Sequence, residues 1–290
     1  MSDQNDHLVR LVRLARGLEM GGFYNAAKLL WAAAYSQEVR SSNALSIPTL
    51  PTDLSAEMTG MVAELKAMGI HSDVIAAFER GQKGVEKNAT IPATDVPETN
   101  VCRSCGEIVL GPVPDTCPNC GAWELTFRTF PAVYYLEPLP PDQALEKLAA
   151  VPDTVMGLIR RLSEDQMARQ PKPGEWSIHE VLVHIMLAQE LLAGRVKKML
   201  AEDNPSLSAM SASELQDVDA ISAREVLDVF RTSREKTVAD LRAAAPLGWW
   251  RTGEHEEFAM VTVLQQASYF ARHDHNHLTQ IRQILKAIGV

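Results

Sequence analysis

The sequence predicts a mainly α protein: a C-terminal four-helix bundle, a small β-rich metal-knuckle module before it, and a helical region at the start. Three observations predict this. Apolar residues recur at helical spacing through most of the chain. All four cysteines fall within residues 102 to 120. Proline-rich stretches, SIPTLPTD and EPLPPD, punctuate the helical blocks. A length of 290 residues allows about two domains, each with an ordinary core.

Residues 6 to 40 carry Leu8, Leu11, Val12, Ala15 and Leu18, then Ala26, Leu29, Leu30, Ala33 and Ala34, interrupted at Gly21-Gly22. That pattern predicts two helices. The SIPTLPTD turn introduces a second pair, with Asp53 or Ser55 as the first cap and Ser72 capping a shorter helix that ends at Gly81. From Gly84 to Asn100 the composition turns to Pro, Thr, Val and charged residues and reads as a linker, so residues 1–95 form the N-terminal helical region. Residues 101–136 form the cysteine module, ending in the β-prone run WELTFRTFPAVYYL. After EPLPPD, four long helices are predicted at roughly 142–162, 178–201, 222–244 and 262–287, which makes 142–290 a bundle domain.

Charge narrows the function classes. Lys+Arg 28 against Asp+Glu 37 leaves a formal charge of -9, the wrong sign for a surface that tracks phosphates, so no nucleic-acid partner is expected. The longest uncharged run, Phe258 to Ala271, is interrupted by Thr262, Gln265, Gln266 and Ser268 and is too short to cross a bilayer, so no membrane is expected either. MSDQNDHLVR is polar and acidic rather than a secretory signal. A cytoplasmic location follows, and in a reducing compartment clustered cysteines suggest metal ligation.

VCRSCGEIVLGPVPDTCPNCGAW holds two Cys-x-x-Cys pairs, Cys102/Cys105 and Cys117/Cys120, each followed by glycine. Two thiolates of such a knuckle straddle one metal, and the glycine permits the turn that aims backbone N–H groups at the sulfurs. Zinc and iron both accept four thiolates, so the spacing leaves the metal open. With its Cys-x-x-Cys-Gly, Gly-Pro loop, Cys-Pro-x-Cys and Phe127, the stretch resembles the rubredoxin-like module that ends rubrerythrins. The resemblance implies either iron and electron transfer or zinc as a structural staple. A rubrerythrin di-iron domain needs Glu-x-x-His pairs. Glu19, Glu38, Glu57, Glu64 and Glu79 are instead followed three positions on by Gly22, Ser41, Gly60, Ala67 and Gln82, so the N-terminal helices are expected to serve packing or oligomerisation.

Histidines mark the bundle. Ser177 and Glu180 form a capping box that starts a helix at a defined place, putting His184 in a stripe with Val181, Ala188 and Leu191. In the last helix, opened by Thr262-x-x-Gln265, one face carries Phe270, His273, His277, Ile281, Ile284 and Ile288. All three imidazoles therefore point inward, where they need either hydrogen-bonding partners or a metal. His179 lies five residues before His184, about 140° around the helix, so HEVLVH is no protease His-Glu-x-x-His motif, and His179 is expected at the surface. His275 is assigned to the outside of its helix.

Trp176-Ser177, the helix with His184, AEDNP, RTGEHEEF and HDHNHLTQI together resemble the DinB/YfiT-like superfamily of metal-binding bundles over residues 142 to 290. That resemblance implies an up-down four-helix bundle. It also implies that His184, His273 and His277 hold a divalent ion (zinc, nickel, manganese or iron), with Asp274 and Gln280 within the motif and Gln280 either behind a ligand or against substrate. A homodimer and a small-molecule substrate, with a low-molecular-weight thiol as co-substrate, are further implications.

Three ligands leave a coordination position free, the arrangement of a catalytic site. The leading expectation is metal-assisted thiol transfer to a small electrophile, or a related hydrolysis. A redox protein built on a rubredoxin-like iron centre and a non-catalytic, metal-stiffened binding protein are the alternatives. Arg195 is a candidate partner for a thiol carboxylate, set against a structural charge. His255 and Trp250 are candidates for the pocket rim, set against loop packing, and Gly253 is expected to serve a turn.

Overall fold

The computed structural model describes residues 2–42, 54–87, 95–96, 98–130, 138–208, 221–244 and 246–290. The chain divides into two compact units, Met1–Thr52 and Asp53–Val290.

The first unit holds α1 (Ser2–Met20) and α2 (Tyr24–Ser42), packed on each other. Gly22 at φ +80 makes the reversal, and the Phe23 N–H returns to the Leu18 carbonyl at 2.8 Å. The buried positions are Ala15, Ala27 and Ala34, small side chains that let two backbones approach. The expected pair of helices broken at Gly21-Gly22 is present.

The second unit opens with α3 (Leu54–Ala67) and α4 (Ser72–Glu86). The expected caps are corrected here. Ser55 lies inside α3, Asp53 is outside the described residues, and α4 is capped by His71, whose Nδ1 accepts from the Asp73 N–H at 3.2 Å. Ser72 is the first helical residue, and α4 continues past Gly81 because glycine in a helix costs only about 1 kcal/mol, a price that packing outweighs.

Next comes an antiparallel sheet of order β2-β1-β3, built from β1 (Thr99–Cys102), β2 (Ile108–Leu110) and β3 (Phe127–Phe130). Thr99 and Asn100, expected in the linker, belong to β1 because they pair with Leu110 and Val109 on one side and Phe130 and Thr129 on the other. The expected end of the module at 136 lies outside the described residues.

The bundle consists of α5 (Pro141–Ile159), α7 (Ile178–Ala201), α8 (Ala223–Ala243) and α9 (Val263–Ile288), with a short α6 (Glu164–Ala168) that the sequence reading had not anticipated. Capping boxes start α6, α7, α8 and α9 at Ser163, Ser177, Ser222 and Thr262. The left-handed Gly289, φ +77, stops α9. Packing order differs from chain order: α5 packs on α8 and α9, and α7 packs on the same two. The helices consecutive in the chain, α5 with α7 and α8 with α9, thus sit across diagonals. The links along those diagonals carry structure of their own, α6 in the first and a hairpin in the second.

That hairpin belongs to a second sheet, absent from the sequence reading, of order β4-β5-β6: β4 (Ser206–Leu207), β5 (Thr252–His255) and β6 (Ala259–Thr262). Gly253 is in strand β5 and not in a turn. A Cβ there would stand 2.7 Å from Leu207 Cδ1 and 3.2 Å from Met199 Cγ, so glycine lets the strand press onto α7.

At the centre of the bundle lies a charge. Arg234, on α8, is 1% exposed. Its guanidinium donates from Nε to Gln189 Oε1 on α7, from NH1 to the Leu148 carbonyl on α5 at 3.1 Å, and from NH2 to Asp274 Oδ2 on α9 at 2.7 Å. The Leu148 carbonyl needs this partner because Pro152, four residues on inside α5, has no N–H to give it. Phe230 lies beneath the guanidinium, with its ring centroid 4.8 Å away. No helix among the described residues is long and apolar enough to cross a membrane.

Two glycines separate packing from backbone effects. Gly253→Val, which overpacks the β5–α7 contact, is expected to lower stability by about 1–3 kcal/mol in urea unfolding. Gly157→Ala, on an exposed turn of α5 with nothing within 4 Å, is expected to raise it by about 0.5–1 kcal/mol.

Candidate metal centres

The Ser177 box fixes the phase of α7, so its second turn delivers His184 to the face that meets α9. The i, i+4 spacing of His273 and His277 puts both on the α9 face that meets α7. The three Nε2 atoms converge: His184 to His273 is 3.0 Å and His277 to His273 is 3.2 Å. Tetrahedral coordination at bond lengths of about 2.05 Å places nitrogens about 3.3 Å apart. The rings are half-buried, walled by Trp176, with centroids 5.1 Å from His184 and 6.3 Å from His277, and by Tyr269, stacked 6.1 Å from His273.

Hydrogen bonds behind the rings set their tautomers. His273 Nδ1 lies 3.1 Å from Asp274 Oδ1, and a carboxylate can only accept, so the proton is on Nδ1. His277 Nδ1 likewise donates to Gln280 Oε1 at 2.6 Å. In imidazoles carrying their one proton on Nδ1, both Nε2 atoms are bare lone pairs facing each other across 3.2 Å, a repulsive contact that a cation between them would reverse. His184 Nδ1 is buried with no hydrogen-bond partner among the described residues.

Electrostatics keep the site ready to bind a cation. Burial, then the neighbouring His277 and His273, pushes the His184 pKa down to about 3. Burial and His273 push His277 down to about 4. Burial alone would raise Asp274, but Arg234 and the hydrogen bond with His273 hold it below the usual carboxylate range. At neutral pH His184 and His277 are therefore neutral imidazoles, and the Asp274 carboxylate behind the cluster is anionic.

The structure places the other candidates as follows. Gln280 is buried and accepts from His277 Nδ1, on the side of that ring away from the cluster. His275 donates from Nδ1 to the Ala271 carbonyl at 2.8 Å and takes no part in the cluster. His179, expected at the surface, is half-buried. Arg195 is buried and donates to Gln266 Oε1 and the Ser208 carbonyl. His255 is buried in β5 and accepts from the Glu257 and Phe258 N–H groups, a turn-fixing role. Trp250 is exposed, while its neighbour Trp249 packs into the core. Sequence reasoning passed over Arg234, although it occupies a position in the apolar row Leu227, Phe230, Val238, Leu241, and that was the available signal.

The cysteines form a second cluster. Cys102 and Cys120 sulfurs are 3.8 Å apart, Cys105 and Cys117 sulfurs 3.7 Å, and all four lie within 4.8 Å of one another as free thiols. Tetrahedral thiolate coordination at about 2.3 Å spaces sulfurs about 3.8 Å apart. The two knuckles repeat one design: Gly106 and Gly121, at φ +86 and +70, return their N–H groups to the Cys102 and Cys117 carbonyls. Burial by itself would raise the Cys102 thiol, but the backbone N–H groups of Cys105 and Ser104, with the thiols of Cys117 and Cys105, bring it to about 7.

Three relatives each match about half of this chain. YuaE of Bacillus subtilis is 27% identical over 146 residues, covering 45% of this chain and 90% of its own. A protein of Halalkalibacterium halodurans named for metal-dependent hydrolysis is 22% identical over 144 residues, covering 49% and 84%. The solved structure of YfiT from Bacillus subtilis, a protein with an unusual four-helix bundle topology, aligns at a TM-score of 0.49 and 17% identity over 53% of this chain and 92% of that one. Residues 132–281, just over half of the chain, match the model of the DinB superfamily, and the chain belongs to that family.

Proposed function

We propose that this protein is a metal-dependent enzyme that activates a small nucleophile, water or a low-molecular-weight thiol, against a small electrophilic substrate. His184, His273 and His277 are the ligands of its divalent ion. The observation that carries this reading is the pair of bare Nε2 lone pairs facing each other at 3.2 Å, with the third imidazole nitrogen 3.0 Å from one of them. A divalent ion supplies Lewis-acid chemistry there, lowering the pKa of a water or thiol that reaches it. Asp274 and Gln280 hold the two α9 imidazoles with their lone pairs forward, and Trp176 and Tyr269 shield the rings' flanks from water. The names of two relatives support water as the nucleophile. A thiol would come from outside, since all four cysteines belong to the other cluster.

The cysteine module is read as a rubredoxin-like or zinc-ribbon fold in which zinc or iron is the structural centre. Among its described residues, 98–130, only Asn100, Cys102 and Cys117 are buried, while Trp123, Leu125 and Phe130 are exposed. With no apolar core beyond the cysteines among those residues, a metal at the thiolates supplies the folding energy.

Metal quantification is the first test. The wild type is expected to hold two metals per chain and His273→Ala/His277→Ala one; equal contents in the two proteins overturn the histidine site. Turnover of activated esters and of alkylating electrophiles, with and without added thiol, then separates hydrolysis from transfer, and a metal-loaded protein inert to every combination sinks the enzymatic reading.

The pH response of the metal-free protein follows from the depressed pKa values. His184 and His277 titrate below 6.5 in the folded chain, so the unfolded chain binds more protons below that pH. Their contribution is complete above about pH 6.5 and is lost as the pH falls towards 4 and then 3. Urea midpoints measured from pH 8 to 4 should decline below 6.5, and His184→Gln/His277→Gln should flatten that decline.

Removal of metal from the thiolates should act locally. Strong chelation is expected to abolish amide protection in residues 99–130 while the protected amides of α7 and α9 persist. A module that stays protected without metal would show that its folding energy comes from elsewhere.

A further inference from the structure

We propose that Arg234 is a positioning residue for His273: through Asp274 it fixes which imidazole nitrogen faces the metal site. The inference rests on the histidine cluster being a metal site and adds a residue that touches neither ion nor substrate.

The geometry carries it. Asp274 is 1% exposed, and its two carboxylate oxygens have separate tasks: Oδ1 accepts from His273 Nδ1 at 3.1 Å and Oδ2 accepts from Arg234 NH2 at 2.7 Å. A carboxylate held at one oxygen can swing about its side-chain torsions; held at both, it has one orientation. Arg234 is itself pinned, because its Nε and NH1 donate to Gln189 on α7 and to the Leu148 carbonyl on α5. Gln189 is fixed in turn, its Nε2 donating to Thr237 Oγ1 at 2.8 Å. The carbonyl that anchors the other end is open because Pro152 interrupts the α5 ladder. A proline break on one helix is thus connected, by hydrogen bonds alone, to the tautomer of a histidine on another.

The three imidazoles differ in what stands behind them. His273 has a carboxylate locked by an arginine, His277 has the neutral Gln280 amide, and His184 Nδ1 has no partner among the described residues. Outer acceptors of this kind orient metal-ligating histidines, and their loss costs roughly 10–100-fold in metal affinity. When Arg234 is removed, Asp274 loses its second tether, His273 loses a fixed acceptor for Nδ1–H, and the ring is free to carry its proton on Nε2, the atom that must present a lone pair.

The test uses the full chain with two readouts. Zinc titrated against a competing chelator is expected to bind in a tight thiolate phase and a weaker histidine phase. Arg234→Met should weaken only the histidine phase, by about 10–100-fold, and Arg234→Lys, which keeps a charge but cannot reach three acceptors, should weaken it less. In the metal-free protein, histidine 15N spectra should show His273 as the Nδ1–H form in the wild type and as a mixture of tautomers in both variants. Should Arg234→Met fail to fold, Arg234→Lys carries the test. A folded variant with unchanged tautomer and zinc affinity overturns the proposal, as does one that loses thermal stability alone. Absence of a histidine phase in the wild type overturns the metal site itself, a separate result from a wild-type phase that the variants leave unmoved.

Discussion

Arg234 is the point where the bundle closes on itself. A guanidinium in the middle of four helices is costly to desolvate and survives there only when its donors and its charge are satisfied. Each of the other three helices contributes one acceptor: Gln189 from α7, the Leu148 carbonyl from α5 and Asp274 from α9. Apolar packing of the bundle core, with Phe230 beneath the guanidinium, tolerates sliding by a fraction of a turn because hydrophobic contact has no direction. Three hydrogen bonds to three helices do not tolerate it. The histidine cluster spans α7 and α9, so it inherits its register from this contact.

Helix phase is the second constraint. The boxes at Ser177 and Thr262 set where α7 and α9 begin, which determines the angular position of every later residue. His184 lies seven residues past the first cap and His273 eleven past the second, both close to whole numbers of turns. The diagonal packing order then matters: α7 and α9 are neighbours although α8 separates them in the chain. The hairpin β5–β6 leads directly into α9 and pairs with β4, just past the end of α7, so the sheet ties the two histidine-bearing helices at their connecting loops.

Much of this was legible because the signals were local. Capping boxes, helical periodicity and the i, i+4 histidines are read within a dozen residues, and the four long helices and the inward direction of His184, His273 and His277 followed from them. What stayed hidden was long-range. The β4–β5 pairing joins residues nearly fifty positions apart through strands of two and four residues, too short for an alternating pattern to register. Gly253 reads as a turn glycine because its reason for being glycine, Leu207 and Met199, lies on other elements. Arg234 was visible as a charge in an apolar row, but its meaning depends on Pro152, Gln189 and Asp274, and no spacing rule links them. His71 displaced Ser72 as a cap because an imidazole nitrogen accepts a backbone N–H as a hydroxyl does.

The two halves of the second unit represent opposite solutions to the same problem. In the bundle, buried Leu, Ile, Val and Phe side chains supply the stability, and the histidine site, half-buried at the α7–α9 seam, is added to a scaffold that has its own core. In the cysteine module no such core exists among the described residues, and its apolar side chains Trp123, Leu125 and Phe130 face outward. Under the proposed function, a metal at the thiolates would supply the folding energy of its module, whereas a metal at the imidazoles would relieve a close approach of ring nitrogens that the fold has already imposed. A site whose geometry is enforced by packing can leave one side of its ion open to a reactant; a site that must hold its own chain together uses all four ligands from protein.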